Sequence, residues 1–192
     1  MSVKFTIFNL IGPEYFALLA DLRANRLAPV LSAMEAFQVH AVFLGDEDYP
    51  PLLAQIPDPP DVLFVQGRLP LHKLHKAVGI VGSRYGSSQA RKIAGELAGH
   101  DVCIISGLAL GIDTAAHEGT LKAGGCTIGV LGCGLGSEYM DKIGSFYEKV
   151  KENGVYVTEM FPFQNASRYS FPERNRLISG MSKAVLVACA AE

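Results

Sequence analysis

The chain is short of charge. Charged side chains make up 19% of its 192 residues, and 17 basic against 19 acidic ones leave a net charge of −2. That balance excludes a uniformly basic nucleic-acid binder but leaves room for a local basic patch. No apolar run reaches the length of a membrane span. The opening residues, Met1-Ser2-Val3-Lys4-Phe5, lack the apolar core and small-residue cleavage site of a signal peptide. Cysteine is scarce, and Cys103, Cys126, Cys133 and Cys189 form no CxxC pair. Three of the four fall in strand-like runs, so buried, reduced thiols in a cytoplasmic protein are expected. Disorder is excluded by a hydrophobic fraction of 49% and a mean hydropathy of +0.22.

Catalytic signatures are missing too. No GxGxxG opens a strand–helix unit: Gly79, Gly82 and Gly86 have the wrong spacing, and Gly132-Cys133-Gly134-Leu135-Gly136 is only GxGxG. There is no Walker A lysine, no HExxH, no GxSxG and no Cys/His set at metal-ligand spacing. The expectation is a protein without cofactor, metal or catalytic machinery.

What is present is a change of texture along the chain. Residues 1–40 read as a short helical segment: Pro13 suits the first turn of a helix carrying Phe16, Leu19, Ala20 and Leu27. Pro29 either breaks that helix or starts a second one with Leu31, Met34 and Phe37. Residues 41–192 are assigned to one domain. Its first part is a proline-rich lead-in with strand-like runs at 41–44 and 62–65, and a parallel βα core begins at about residue 77. Five near-continuous apolar runs then recur, at 78–82, 102–105, 127–131, 155–157 and 185–187, with helical patterns between them. Strands buried on both faces and alternating with helices predict an α/β fold, an open, doubly wound, mostly parallel Rossmann-like sheet.

Such sheets bind ligands at the carboxyl ends of their strands. Three glycine- and serine-rich loops fall there: Gly82-Ser83-Arg84, Ser106-Gly107 through Gly111-Ile112-Asp113, and Gly132-Cys133-Gly134. Backbone N–H groups at helix starts favour anions, and Arg84 adds a fork-shaped donor for phosphate. Each glycine alone suits a tight turn, and only the three loops together make a concave anion-binding edge. Asp113 either caps its helix or serves the site. His117, one turn on, is either structural or catalytic. Glu159 is either a ligand contact or a paired carboxylate.

Residues 168–176 hold three arginines, Arg168, Arg174 and Arg176, against one glutamate, within a 77–192 segment of 11 basic and 11 acidic residues. Tyr169 and Phe171 interleave with them. Arginine with an exposed aromatic is the chemistry of single-strand binding, although Phe171 also suits a core. Cations near a helix start oppose the helix dipole, which points to an anionic partner.

With these segments in order, the chain resembles the DNA processing protein A (DprA/Smf) family. The matching runs are Asp48-Tyr49-Pro50-Pro51-Leu52-Leu53, residues 60–67, Ile80-Val81-Gly82-Ser83-Arg84, residues 106–117, residues 130–135, and Phe171-Pro172-Glu173-Arg174-Asn175-Arg176 through Ser182. The resemblance implies a cytoplasmic, non-enzymatic, dimeric protein. It would bind single-stranded DNA, protect incoming DNA and help load the RecA recombinase in natural transformation. By motif match, Gly82, Ser83, Arg84, Ser106, Gly107, Gly111, Asp113, Arg174, Asn175 and Arg176 would line the DNA groove. Gly132, Gly134 and Arg168 join them from the loops above. The chain departs from the family where Leu110 replaces a usual Arg or Lys, and where Tyr139-Met140 replaces Tyr-Pro. It also stops soon after the run 184–190, where family members continue. An exposed last strand and a tendency to associate are therefore expected. The alternative is a phosphoribohydrolase-like nucleotide enzyme on the same sheet, but its PGGxGTxxE signature is absent. A dinucleotide oxidoreductase lacks its fingerprint as well.

Overall fold

The computed structural model describes residues 13–84, 87–143 and 145–189. The expectations about the first residues, Tyr85-Gly86 and the last three residues lie outside them. Helix α1 (Pro13–Arg23) ends where Asn25 takes φ +56°, a left-handed conformation that asparagine tolerates better than most residues. Helix α2 (Ala28–Ala36) carries Pro29 in its first turn, so this proline starts a helix instead of breaking one. Leu19, Leu22, Val30 and Met34 turn inward, while Phe16 is exposed despite its helical spacing.

Strands β1 (Val39–Phe43) and β2 (Val62–Gln66) pair antiparallel, Val39 opposite Gln66. The segment between them is held by the Tyr49 hydroxyl donating to the Pro60 carbonyl at 2.8 Å. The parallel units follow: β3 (Val78–Gly82), α3 (Ser87–Gly99), β4 (Ile104–Ser106), α4 (Ile112–Lys122) and β5 (Thr127–Val130). Helices α5 (Glu138–Ile143) and α6 (Ser145–Asn153), strand β6 (Val155–Thr158), helix α7 (Ser170–Met181) and strand β7 (Ala184–Cys189) complete the chain.

All seven strands form one sheet in the order β1-β2-β6-β5-β4-β3-β7. The five strand runs expected from residue 77 onward are its parallel part, the second of them displaced to 104–106. The lead-in is the surprise: β2 pairs antiparallel with β6 and carries β1 outward, so these residues extend the same sheet. Every residue of β2 is buried, with Leu63 and Val65 in one core and Val62 and Phe64 in the other.

From β3 to β6 each strand is laid beside the last, and the intervening helices α3, α4 and α6 lie on one face. There α3 and α4 pack together, with Ala90 and Ala115 in one cluster with Ile80 and Ile104 of the sheet. Between β6 and β7 the chain recrosses the whole parallel sheet through α7 on the other face, where Leu177, Ile178 and Met181 meet Ile105, Val130 and Val157. The strand order therefore reverses between β3 and β7, a topological switch point at the carboxyl end of β3. Strand β7 lies on the sheet edge with Val185 and Val187 exposed.

Candidate nucleic-acid interface

The three predicted loops do meet at the carboxyl edge of the parallel strands, and one buried side chain gathers two of them. Arg174 is only 5% exposed. Its Nη1 donates to the Gly107 carbonyl at 2.6 Å and to the Val130 carbonyl, at the ends of β4 and β5, and its Nε donates to Asn175 Oδ1 at 3.2 Å. Gly107 is held from its other side as well: its N–H donates to Asp113 Oδ2 at 3.1 Å. One peptide residue thus lies between a buried guanidinium and a buried carboxylate. Burial lowers the Arg174 pKa and Asp113 opposes that, and an arginine stays charged at such a site. Burial raises the Asp113 pKa against the pull of Arg174 and of the backbone bonds from Ala109 and Gly107.

This corrects two expectations. Asp113 makes no cap bond with its own helix start; it anchors the loop that precedes it. The cations of α7 have internal partners, so the anionic partner inferred from the dipole is largely the protein itself. Arg176 is held by Glu159 at 2.5 Å and Asp58 at 3.5 Å. Glu159 is accordingly a paired carboxylate, raised by burial and lowered again by Arg176. A sequence signal for the burial of Arg174 exists. It shares a helical stripe with Leu177, Ile178 and Met181, spaced three, four and seven residues on.

The loops are shaped around these contacts. A Cβ on Gly107 would lie 2.6 Å from the Arg174 guanidinium. Gly111 has φ +96°, and a Cβ there would lie 2.5 Å from the Arg84 carbonyl carbon. The β3 and β4 loops therefore touch backbone to backbone, and the Ile112 N–H donates to the Ser83 carbonyl at 3.2 Å. Between the two glycines, Leu108 is left-handed at φ +64°, an uncommon state for leucine, with its side chain buried. Two residues later Leu110 stands 77% exposed. On the other side the Ser170 hydroxyl donates to the Gly132 carbonyl at 2.7 Å, and the Gly134 N–H donates to the Gln164 carbonyl at 2.7 Å. Ser170 and Gln164 were not singled out from sequence, because a serine at a helix start and a glutamine in a loop carry no distinguishing pattern.

The predicted site residues divide by exposure. Ser106, Gly107, Asp113, Gly132, Gly134 and Arg174 are buried and build the edge. Ser83, Gly111 and Arg176 are half-buried. Gly82, Arg84, Arg168 and Asn175 face solvent. Among the described residues Arg84 and Arg168 have no ion pair. Arg168 donates to the Tyr169 hydroxyl and lies over its ring at 4.5 Å. Tyr169 is 58% exposed, whereas Phe171 is half-buried against Tyr139 at 5.3 Å. His117 is wholly buried, its Nδ1 2.7 Å from Thr127 Oγ1, and burial lowers its pKa from 6.5 to about 3. It is a structural neutral imidazole. No group of three or more metal-ligating side chains occurs among the described residues, and no helix among them is long and apolar enough to cross a membrane.

Known proteins resemble this chain in sequence and in fold. Protein Smf of Synechocystis is 41% identical over 172 residues, 85% of this chain and 43% of the relative. Protein Smf of Escherichia coli is 40% identical over 158 residues, covering 79% and 42%. The chain thus spans less than half the length of these relatives. The crystal structure of DNA processing protein A from Streptococcus pneumoniae matches with a TM-score of 0.69 at 34% identity, covering 78% of this chain and 54% of that one. A structure of DNA processing protein A from Helicobacter pylori, described for its single-stranded DNA binding mode, matches with a TM-score of 0.69 at 28% identity, covering 80% and 70%. The family model of DNA recombination-mediator protein A matches residues 40–192, and the chain belongs to that family.

Proposed function

We propose that the chain binds single-stranded DNA along the carboxyl edge of its sheet, without catalysing a reaction on it. The observation that carries this reading is the sorting of cations at that edge. Arg174 and Arg176 are consumed internally, while Arg84 and Arg168 stand exposed without an ion pair among the described residues, Arg168 lying against the exposed Tyr169 ring. Guanidinium groups hold phosphates and the exposed ring offers a face for a base, a sequence-tolerant combination. Contact is assigned to Gly82, Ser83, Arg84, Arg168, Tyr169 and Asn175, with Gly111 shaping the loop. The buried Ser106, Gly107, Asp113, Gly132, Gly134 and Arg174 hold the edge in shape. Arg176 does the same through Glu159 and Asp58.

The family supports placing this binding in cytoplasmic DNA processing and recombination, as a homodimer that passes single strands to RecA. Oligothymidylate binding followed by fluorescence anisotropy at low salt tests the central claim. Wild type should bind, Arg84→Ala and Arg168→Ala should each weaken binding with the fold intact, and no base should be released from nucleoside monophosphates. Absence of binding at low salt overturns the reading.

A further inference from the structure

A pair of cysteines sits at the opposite edge of the sheet, where the DNA reading uses nothing. Cys103 immediately precedes β4 and Cys126 immediately precedes β5, the two strands being hydrogen-bonded neighbours in register Ile104 to Thr127. The Ile104 N–H donates to the Cys126 carbonyl at 3.0 Å, so the backbone pairing reaches the cysteines themselves. Cys103 lies in the core beneath α7 and Cys126 packs against that core. Their sulfurs are 3.0 Å apart.

The two differ in access. Cys103 is fully buried. Cys126 is half-buried and lines an open cleft of about 350 Å³ with Arg68, Lys73, Gly125 and Asn153. Lys73 is held there by Asp101 at 2.7 Å. The hydrogen bond from Cys103 favours the Cys126 thiolate, and Lys73 adds to this against burial and Asp101. The same bond, with burial, pushes the Cys103 thiol up. An accessible sulfur in an electropositive cleft is the setting of a reactive cysteine. Here a second, sheltered sulfur is already in contact with it. Cys133 shows the contrast: it is fully buried beside the Met140 sulfur at 3.8 Å, and burial raises its pKa.

We propose that Cys126 and Cys103 form an oxidation site that takes a hydroperoxide and closes to an intrachain disulfide. In the first step the Cys126 thiolate attacks the peroxide oxygen. An S–O bond forms, the O–O bond breaks, and the leaving oxygen departs as hydroxide or alkoxide and takes up a proton. Sulfur is oxidised to the sulfenic acid and the peroxide is reduced by two electrons. In the second step the Cys103 sulfur gives up its proton and attacks the Cys126 sulfur. The S–S bond forms, the S–O bond breaks, and hydroxide leaves with that proton as water. Two thiols and one hydroperoxide thus give one disulfide, one alcohol or water, and one further water. The product ties β4 to β5 at the edge away from the DNA-binding loops.

The test treats the folded 192-residue chain with hydrogen peroxide, alkylates it, and maps it by mass spectrometry without reduction. The expected result is a product two hydrogens lighter, a Cys103–Cys126 cross-linked peptide reversed by dithiothreitol, and a Cys133 that is alkylated only after denaturation. In Cys103→Ser the sulfenic acid should persist on Cys126 and be captured by dimedone. Should that variant fail to fold, the wild-type map decides alone. Recovery of both thiols unmodified, or oxidation of Cys126 to sulfinic acid without the cross-link, overturns the proposal.

Discussion

Arginines that look alike in sequence do opposite work here, and single substitutions separate them. Arg174 is encased and neutralises Asp113 across Gly107. Replacing it with alanine strands a buried carboxylate and two carbonyls, which should cost about 3 kcal/mol of stability in urea unfolding. Arg84 is exposed, so Arg84→Ala should change stability by no more than ~0.5 kcal/mol while weakening DNA binding. Sequence shows three arginines in nine residues and cannot rank them by type alone. The ranking lay in phase, since only Arg174 falls on the stripe of Leu177, Ile178 and Met181. His117 supplies a pH signature at the same scale. Folded, it stays neutral down to about 3, while unfolded it protonates at 6.5. Between those values the unfolded state binds the extra proton, so stability is full above 6.5 and falls as the pH drops. From pH 7.5 to 5.5 the loss should be about 1.4 kcal/mol. The His40 pKa, lowered by burial, adds to that loss with the same sign. Asp113 and Glu159, raised by burial, act oppositely in the carboxylate range. His117→Asn should flatten the response in urea titrations at the two pH values, whatever its own cost.

The β4–α4 loop is where local conformation and the proposed binding meet. Its left-handed Leu108 and its two constrained glycines let the chain bury one leucine, expose the next, and lay its backbone against Arg84. Gly111→Ala meets both a positive φ and the Arg84 backbone. It should lose about 1–3 kcal/mol in urea unfolding and shift Arg84, so that DNA affinity falls further than stability alone explains. An unchanged affinity in a stably folded Gly111→Ala protein would separate the two loops. At this scale much was legible. The inner parallel strands β4, β5 and β6 showed as apolar runs because they are buried on both faces, and the glycine-rich loops showed because close backbone approach admits no Cβ. The place of β1 and β2 did not show. Their pairing onto β6 joins Phe64 to Thr158, a contact far apart in sequence, and no local pattern encodes it. The start of β4 was misplaced by two residues for a related reason. Val102 and Cys103 are as apolar as the strand, but the ladder that defines it begins at Ile104.

For the whole molecule, the net charge of −2 bounds how strongly DNA can be held. The excess acid lies before residue 77, since residues 77–192 carry 11 charges of each sign, and most of the chain offers a strand no general attraction. The proposed binding would then depend on the few cations without an ion pair at the carboxyl edge. Each phosphate neutralised on a single strand contributes about −0.7 to the slope of log affinity against log salt. All four arginines acting on phosphate, Arg84, Arg168, Arg174 and Arg176, would give about −2.8 by the same rule. The structure leaves two exposed, with Arg174 on backbone carbonyls and Arg176 between Glu159 and Asp58. A shallow slope of about −1.4 is therefore expected for one copy of the chain on a short oligothymidylate. Arg84→Ala should halve it to about −0.7, and Arg84→Ala with Arg168→Ala should bring it near zero. Arg176→Ala should leave it unchanged, because that guanidinium is already neutralised. A wild-type slope near −2.8 that falls on Arg176→Ala would mean that DNA displaces Glu159 and Asp58, and that the groove recruits its cations only when occupied.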